Sequence, residues 1–92
     1  RMSWYGVISV AVALSSKNQL LGEPVIRLLG VPIEEDIDDF LDEACSAAEK
    51  AVRDWRGDLA SLRENLRLAV RRVATSWTGK KPIVEVLVVE TA

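Results

Sequence analysis

Tyr5-Gly6-Val7-Ile8-Ser9-Val10-Ala11-Val12-Ala13-Leu14 is the stretch that decides the fold. It is apolar apart from Ser9, and the β-branched Val7, Ile8, Val10 and Val12 favour a strand over a helix. Side chains alternate along a strand. Ile8, Val10, Val12 and Leu14 therefore face one side, and Val7, Ser9, Ala11 and Ala13 the other. Both sides are greasy, so the reading expects a central strand with both faces covered. A chain of 92 residues has little material left to cover the second face. That shortage is the first functional clue.

Toward the C-terminus, the polar Ser15-Ser16-Lys17-Asn18-Gln19 predicts a hairpin turn. A second strand follows over residues 20–29, with a bulge at Gly22 and Pro24 that suits a sheet edge. Ile26 and Leu28 share one of its faces, and Arg27 marks the outward one. Gly30-Val31-Pro32 ends it. Residues 33–55 then carry helical spacing through Ile33, Ile37, Phe40, Leu41, Ala44, Ala48, Ala51, Val52 and Trp55. The acids from Glu34 to Asp39 suit the positive end of that helix, and Lys50, Arg53 and Arg56 its negative end. Gly57 is read as its left-handed cap. Asp58 is a good N-cap for a second helix over 59–77, with Leu59, Leu62, Leu66, Ala69, Val70, Val73 and Trp77 as its stripe. So short a junction packs the two as an antiparallel hairpin. Trp55 and Trp77 are read as core residues. Ile83 to Val89, IVEVLVV, is the third strand.

The expected architecture is α+β, ββααβ: a three-stranded antiparallel sheet of order 2-1-3 with a two-helix hairpin on one face. A right-handed crossover through the helices brings the third strand to the free edge of the first. Val84, Val86 and Val88 then face the helices. Ile83, Leu87 and Val89 point away beside Val7, Ala11 and Ala13, with Glu85 as the only charge expected there. An apolar outer face of that kind marks an interaction surface. Tyr5, Val7, Ile83, Leu87 and Val89 are its candidate residues.

Composition narrows the chemistry. Twelve basic and 14 acidic side chains give a net charge of −2, so no global positive field draws nucleic acid. Histidine is absent, which removes the commonest general base and a common metal ligand. No Ser-His-Asp or Cys-His arrangement can form within the chain, and a zinc site would need mostly carboxylates. The single Cys45 cannot form an internal disulfide, fits a reducing compartment, and is read as a small core thiol. No run approaches a membrane span, and the N-terminal run has too little positive charge for a signal peptide. The abrupt start at Arg1-Met2-Ser3 reads as a single domain, 1–92, cut from a longer protein.

The second helix and the loop after it carry Arg63, Arg67, Arg71, Arg72, Lys80 and Lys81 against one acid, Glu64. Arg63, Arg67 and Arg71 lie at i, i+4 and i+8 on one face. They are candidate RNA phosphate contacts. The blander alternative is a solvated face, or pairing with Asp42, Glu43, Glu49 and Asp54 of the first helix. The acids at 34–39 lack the glycine-punctuated spacing of an EF-hand, so they are assigned to the helix end rather than to a cation.

Several ordered segments resemble one family: Gly6-Val7-Ile8-Ser9-Val10, Gly22-Glu23-Pro24-Val25-Ile26, the closing Gly30, Asp58-Leu59-Ala60-Ser61-Leu62-Arg63, and Lys80-Lys81-Pro82-Ile83-Val84. Together they are similar to the C-terminal domain of ribonuclease J, a group of bacterial and archaeal metallo-β-lactamase-fold ribonucleases. One departure stands out. Family members commonly carry Ser-Arg-Gly and then Phe or Val at the end of the second strand, where this chain has Leu28-Leu29-Gly30-Val31.

The resemblance implies a non-catalytic accessory domain that supports dimer assembly and full activity on RNA. Its partners would be a second copy or the catalytic body of the parent enzyme, with RNA reached through the parent and no membrane. The fragment itself would hold no cofactor. The parent would be a cytoplasmic hydrolase that degrades RNA from the 5′ end and cuts it internally. It would use zinc or manganese in a His- and Asp-rich two-metal site beside a β-CASP insertion. Two other classes remain open: a freestanding protein-interaction module, and a KH-like RNA-binding domain. The second is disfavoured because the helix junction Arg56-Gly57-Asp58-Leu59-Ala60 lacks a Gly-x-x-Gly loop.

Overall fold

The computed structural model describes residues 6–31, 33 and 35–91. Its elements run β1 (Val7–Leu14), β2 (Leu20–Leu29), α1 (Ile37–Asp54), α2 (Leu59–Thr78) and β3 (Ile83–Glu90). The sheet has the expected order β2-β1-β3. Ile8, Val10, Val12 and Leu14 are buried beneath the helices, and the odd-numbered side of β1 is half-buried. Helix α1 packs over β2 and α2 over β3, so the pair covers one face only. Phe40, Leu62, Leu66 and Val70 fill the space above β1 with no exposure, and Ala44, Ala48 and Ala74 let the helix backbones approach. No charged or polar side chain is buried among the described residues.

The sheet is mixed, not antiparallel throughout. β1 pairs antiparallel with β2 but parallel with β3. Each connection in ββααβ reverses the chain, and four reversals bring β3 back to the direction of β1. Parallel neighbours need a long crossover, and the helical hairpin supplies it. The β1–β3 ladder is extended at both ends: Ile83 N–H donates to Gly6 O at 3.1 Å and Thr91 N–H to Leu14 O at 3.0 Å.

The bulge lies where Gly22 and Pro24 placed it. Ala11 pairs with Val25 and Ala13 with Leu21, so β2 spends four steps where β1 spends two. Two extra residues preserve the alternation, and β2 keeps the same faces on both sides of the bulge. Pro24 is buried there.

Three local expectations are corrected. Helix α1 starts at Ile37, not Ile33, because Asp36 adopts a left-handed conformation (φ 59°) and Ile33 N–H turns back to Val31 O at 2.8 Å. Only Asp38 and Asp39 lie in its first turn. Glu35 and Asp36 precede it, and Glu34 lies outside the described residues. Gly57 does not cap α1. The helix closes at Trp55, whose backbone is extended, and Gly57 sits in the linker with φ 112°. Trp77 is a surface residue that lies edge-on to the buried Phe40, ring centroids 5.7 Å apart, with its indole N–H donating to Glu43 Oε1 at 3.0 Å. Trp55 is half-buried, and its indole N–H donates to the Asp58 carbonyl at 2.9 Å. Asp58 caps α2 as expected, its Oδ1 accepting from Ser61 N–H at 2.9 Å.

Candidate functional site

The outer face of the sheet is assembled from odd-numbered residues of all three strands. Cross-strand partners point to the same side, so the register arranges them in rows. One row is Leu29, Val7 and Ile83; the next is Arg27, Ser9 and Glu85. The third is Val25, Ala11 and Leu87, and the fourth Leu21, Ala13 and Val89. Three rows are wholly apolar, and one carries a cation and an anion on opposite edges, so Glu85 is not the only charge on this face: the β2 register sets Arg27 beside Ser9 as well.

Exposure on this face is high for such side chains. Leu29 is 71% exposed, Leu87 60%, Ile83 53% and Val25 50%, with Leu21 and Val89 only slightly less. Scattered exposed leucines are ordinary, but six large apolar side chains on one face, four of them in the two adjacent rows of Ala11 and Ala13, call for an explanation. The central strand carries small side chains here, and the edge strands large ones. The result is a shallow recess of about 280 Å³ over Ser9 and Ala11, walled by Val25, Arg27, Glu85 and Leu87.

Of the candidate surface residues, Ile83, Leu87 and Val89 stand exposed on this face, with Val7 half-buried among them. Tyr5 lies outside the described residues. Sequence reasoning misses the β2 contribution, Leu21, Val25 and Leu29. A signal for it exists: Val25 and Leu29 share the parity of the outward Arg27 on the same side of the bulge, and the bulge obscures the parity of Leu21 alone.

The basic residues do not form one continuous stripe. Arg67 pairs with Glu64 on its own helix, with Nη2 2.6 Å from Oε2 and Nε donating to Oε1 at 3.0 Å. That hydrogen bond holds the Glu64 carboxyl below its ordinary range and raises the Arg67 guanidinium. On α1, Lys50 pairs with Asp54 at 2.7 Å and lowers that carboxyl in the same way. These ion pairs run within each helix rather than between them, and exposed pairs of this kind stabilise little. Arg71, Arg72 and Lys81 do meet, around a depression at the C-terminal end of α2 that Thr75 and Ser76 also line. Arg63 stands apart, exposed near the start of α2. Lys80 comes after the helix, its backbone N–H donating to Thr78 Oγ1 at 3.0 Å.

Cys45 is half-buried, and its thiol donates to the Pro24 carbonyl at 3.5 Å. Burial raises its pKa first, with Glu49, Glu23 and Asp42 adding to the effect. A thiol so disposed is a poor nucleophile and metal ligand. Among the described residues no three His, Cys, Asp or Glu side chains gather as a metal-holding group, and no helix is long and apolar enough to cross a membrane.

Comparison with known proteins points to one family. The family model described as the ribonuclease J C-terminal domain matches residues 1–91. A ribonuclease J of Sinorhizobium meliloti is 37% identical over 93 aligned positions, which cover 96% of this chain and 16% of that protein. The chain thus spans about a sixth of the length of the curated relative it matches.

Proposed function

We propose that this chain, which belongs to the ribonuclease J C-terminal domain family, is the assembly domain of an RNA-degrading ribonuclease and joins two copies of that enzyme through the outer face of its sheet. The observation that carries this reading is the largely apolar outer face, three of whose four rows are apolar, with Leu29, Ile83 and Leu87 all more than half exposed. Each such side chain contributes roughly 1.5–3 kcal/mol when it passes fully from water into a packed interface. A second copy of the same face is the simplest partner, because two-fold pairing is the commonest closed arrangement.

In this reading the chain performs no bond-breaking step. It has no histidine, and its carboxylates are spread over both helices, β2, β3 and the turns. These residues do not fit the two-metal centre that the family implies. That centre, with its zinc or manganese, belongs to the catalytic body of the parent. The parent is a cytoplasmic hydrolase that acts on RNA from the 5′ end and internally, and this domain meets RNA through it. The chain contributes by holding two catalytic bodies together.

The test is a sedimentation series on the 92-residue chain from low to high micromolar concentration. The expected result is reversible, concentration-dependent dimerisation. A chain that stays monomeric and non-aggregating throughout would defeat the reading.

A further inference from the structure

We infer that the two copies pair about a two-fold axis running along β1, so that Arg27 of each copy meets Glu85 of the other. The inference rests on the self-association proposed above and adds its arrangement.

The single polar row is the feature that orients the face. Arg27, Ser9 and Glu85 lie side by side across the sheet, with the cation on the β2 edge and the anion on the β3 edge. Both charged side chains are exposed and border the recess over Ser9 and Ala11. In one copy their backbones are two strand spacings apart, about 10 Å, and the side chains project in parallel rather than toward each other. The row is therefore antisymmetric about β1, and this decides how a second copy can be laid on it.

A two-fold axis that brings two sheet faces together lies in the plane between them. When it runs along the strands, over β1, it carries β2 of one copy onto β3 of the other and keeps every row at its own level. Arg27 then faces Glu85 of the second copy, twice. Leu29 faces Ile83, Val25 faces Leu87, and Leu21 faces Val89, so every apolar row meets an apolar row. When the axis instead runs across the strands, β2 lies on β2. At the level of Ser9 this sets Arg27 against Arg27 and Glu85 against Glu85. At the level of Ala11 it sets Arg27 against Leu21 and Glu85 against Val89. Each of these alternatives leaves charges repelled or buried without a partner, and a charge buried alone is strongly disfavoured.

The spacing permits the favoured pairing. Packed sheets lie about 10 Å apart, and an arginine and a glutamate aimed at each other across that gap close it. The rotation of roughly 30° between aligned sheets displaces a strand one spacing from the axis by only about 2.5 Å, within the play of two long side chains. The recess over Ser9 and Ala11 gives both stems room to turn inward. The polar row thus acts as a register lock on an otherwise non-directional apolar face.

Charge reversal tests the arrangement. Arg27→Glu places Glu against Glu85 twice in its own homodimer, and Glu85→Arg places Arg against Arg27 twice. Each single variant, checked as folded by circular dichroism, is expected to dimerise at least about tenfold more weakly than wild type in low salt. The double variant R27E/E85R restores both pairs and recovers the wild-type affinity. Mixing the two single variants yields a heterodimer, since one then carries two anions and the other two cations at facing positions. Leu87→Glu serves as the control for the face itself. If wild type dimerises and L87E does not, but both charge reversals leave the affinity unchanged, the axis is wrong and the assembly face stands. A double variant no tighter than the singles also overturns the arrangement. A monomeric wild type overturns both the arrangement and the reading beneath it.

Discussion

Replacing Leu87 by glutamate separates the fold from the assembly, because Leu87 serves both to unequal degrees. Its side chain is 60% exposed, so the remaining two-fifths is covered within the chain itself. Full burial of a leucine is worth roughly 1.5–3 kcal/mol, and the fold therefore loses about 0.6–1.2 kcal/mol. A domain of this size has a total stability of about 5–14 kcal/mol, so the variant remains folded. Its melting temperature falls by about 2–10 °C. The interface loses more. The exposed three-fifths accounts for about 0.9–1.8 kcal/mol per copy, and symmetry doubles it to about 2–4 kcal/mol. That weakens dimerisation by about 20- to 400-fold before the cost of desolvating two carboxylates is added. Sedimentation velocity over a concentration series reads the association, and a circular dichroism melt of the same samples reads the fold. Val84→Glu is the contrast. It lies on the same strand but faces the helices at 7% exposure, and a carboxylate there unfolds the domain. If L87E unfolds like V84E, Leu87 belongs to the core and the assignment of faces is reversed. If L87E dimerises as tightly as wild type, the face is not the interface.

Gly6→Ala is expected to destabilise the chain by about 2–5 kcal/mol: φ is +95°, and an added Cβ would sit 2.7 Å from the Gly30 backbone. Gly22→Ala also has positive φ, but nothing lies within 4 Å, so it should cost only about 1–2 kcal/mol. Chemical denaturation of both decides this, and equal losses would deny the close approach of Gly6 to Gly30. Cys45 should alkylate more slowly than a free small thiol at mildly alkaline pH, because burial first, and the nearby Glu49, Glu23 and Asp42 after it, raise its pKa above the ordinary thiol value. The folded state then holds its proton more tightly than the unfolded state. Stability from this group is intact below the unfolded pKa and declines as pH rises through the folded value. A thiol that reacts as fast as free cysteine, or stability that does not decline there, would contradict the burial.

Much of the fold was legible because period and punctuation agreed. The two-residue period of β1 and β3 and the helical stripes through Phe40 and Leu66 each pointed to one element type. Gly22 and Pro24 located the bulge. What failed was either a local conformation that competed with propensity or a direction that patterning does not encode. Asp36 in the left-handed region stopped α1 from reaching back to Ile33, although the apolar spacing continued through it. Gly57 had the composition of a helix cap, but Trp55 leaves the helix first and anchors its indole on the Asp58 carbonyl. The direction of β3 comes from counting reversals, not from any residue in it.

The outer face was half legible, and the reason bears on how such surfaces are specified. Ile83, Leu87 and Val89 announce themselves through simple alternation in an uninterrupted strand. Val25 and Leu29 share the parity of the outward Arg27 and were open to the same reading, but Leu21 was not, because a bulge of unknown size separates it from them. The structure shows two extra residues, an even number, and only that parity sets Leu21 on the face with Val25. The same register sets Arg27 beside Ser9 and Glu85. An apolar patch by itself selects no orientation, since burial is proportional to area and non-directional. One row with opposite charges on its two edges does select one, because it penalises each arrangement that fails to bring unlike charges together. Orientation on this face thus depends on a register that the sequence encodes only through the length of one bulge. Deleting one residue of Gly22-Glu23-Pro24 should accordingly weaken dimerisation, read by sedimentation, more than deleting two, and equal losses would contradict the parity argument.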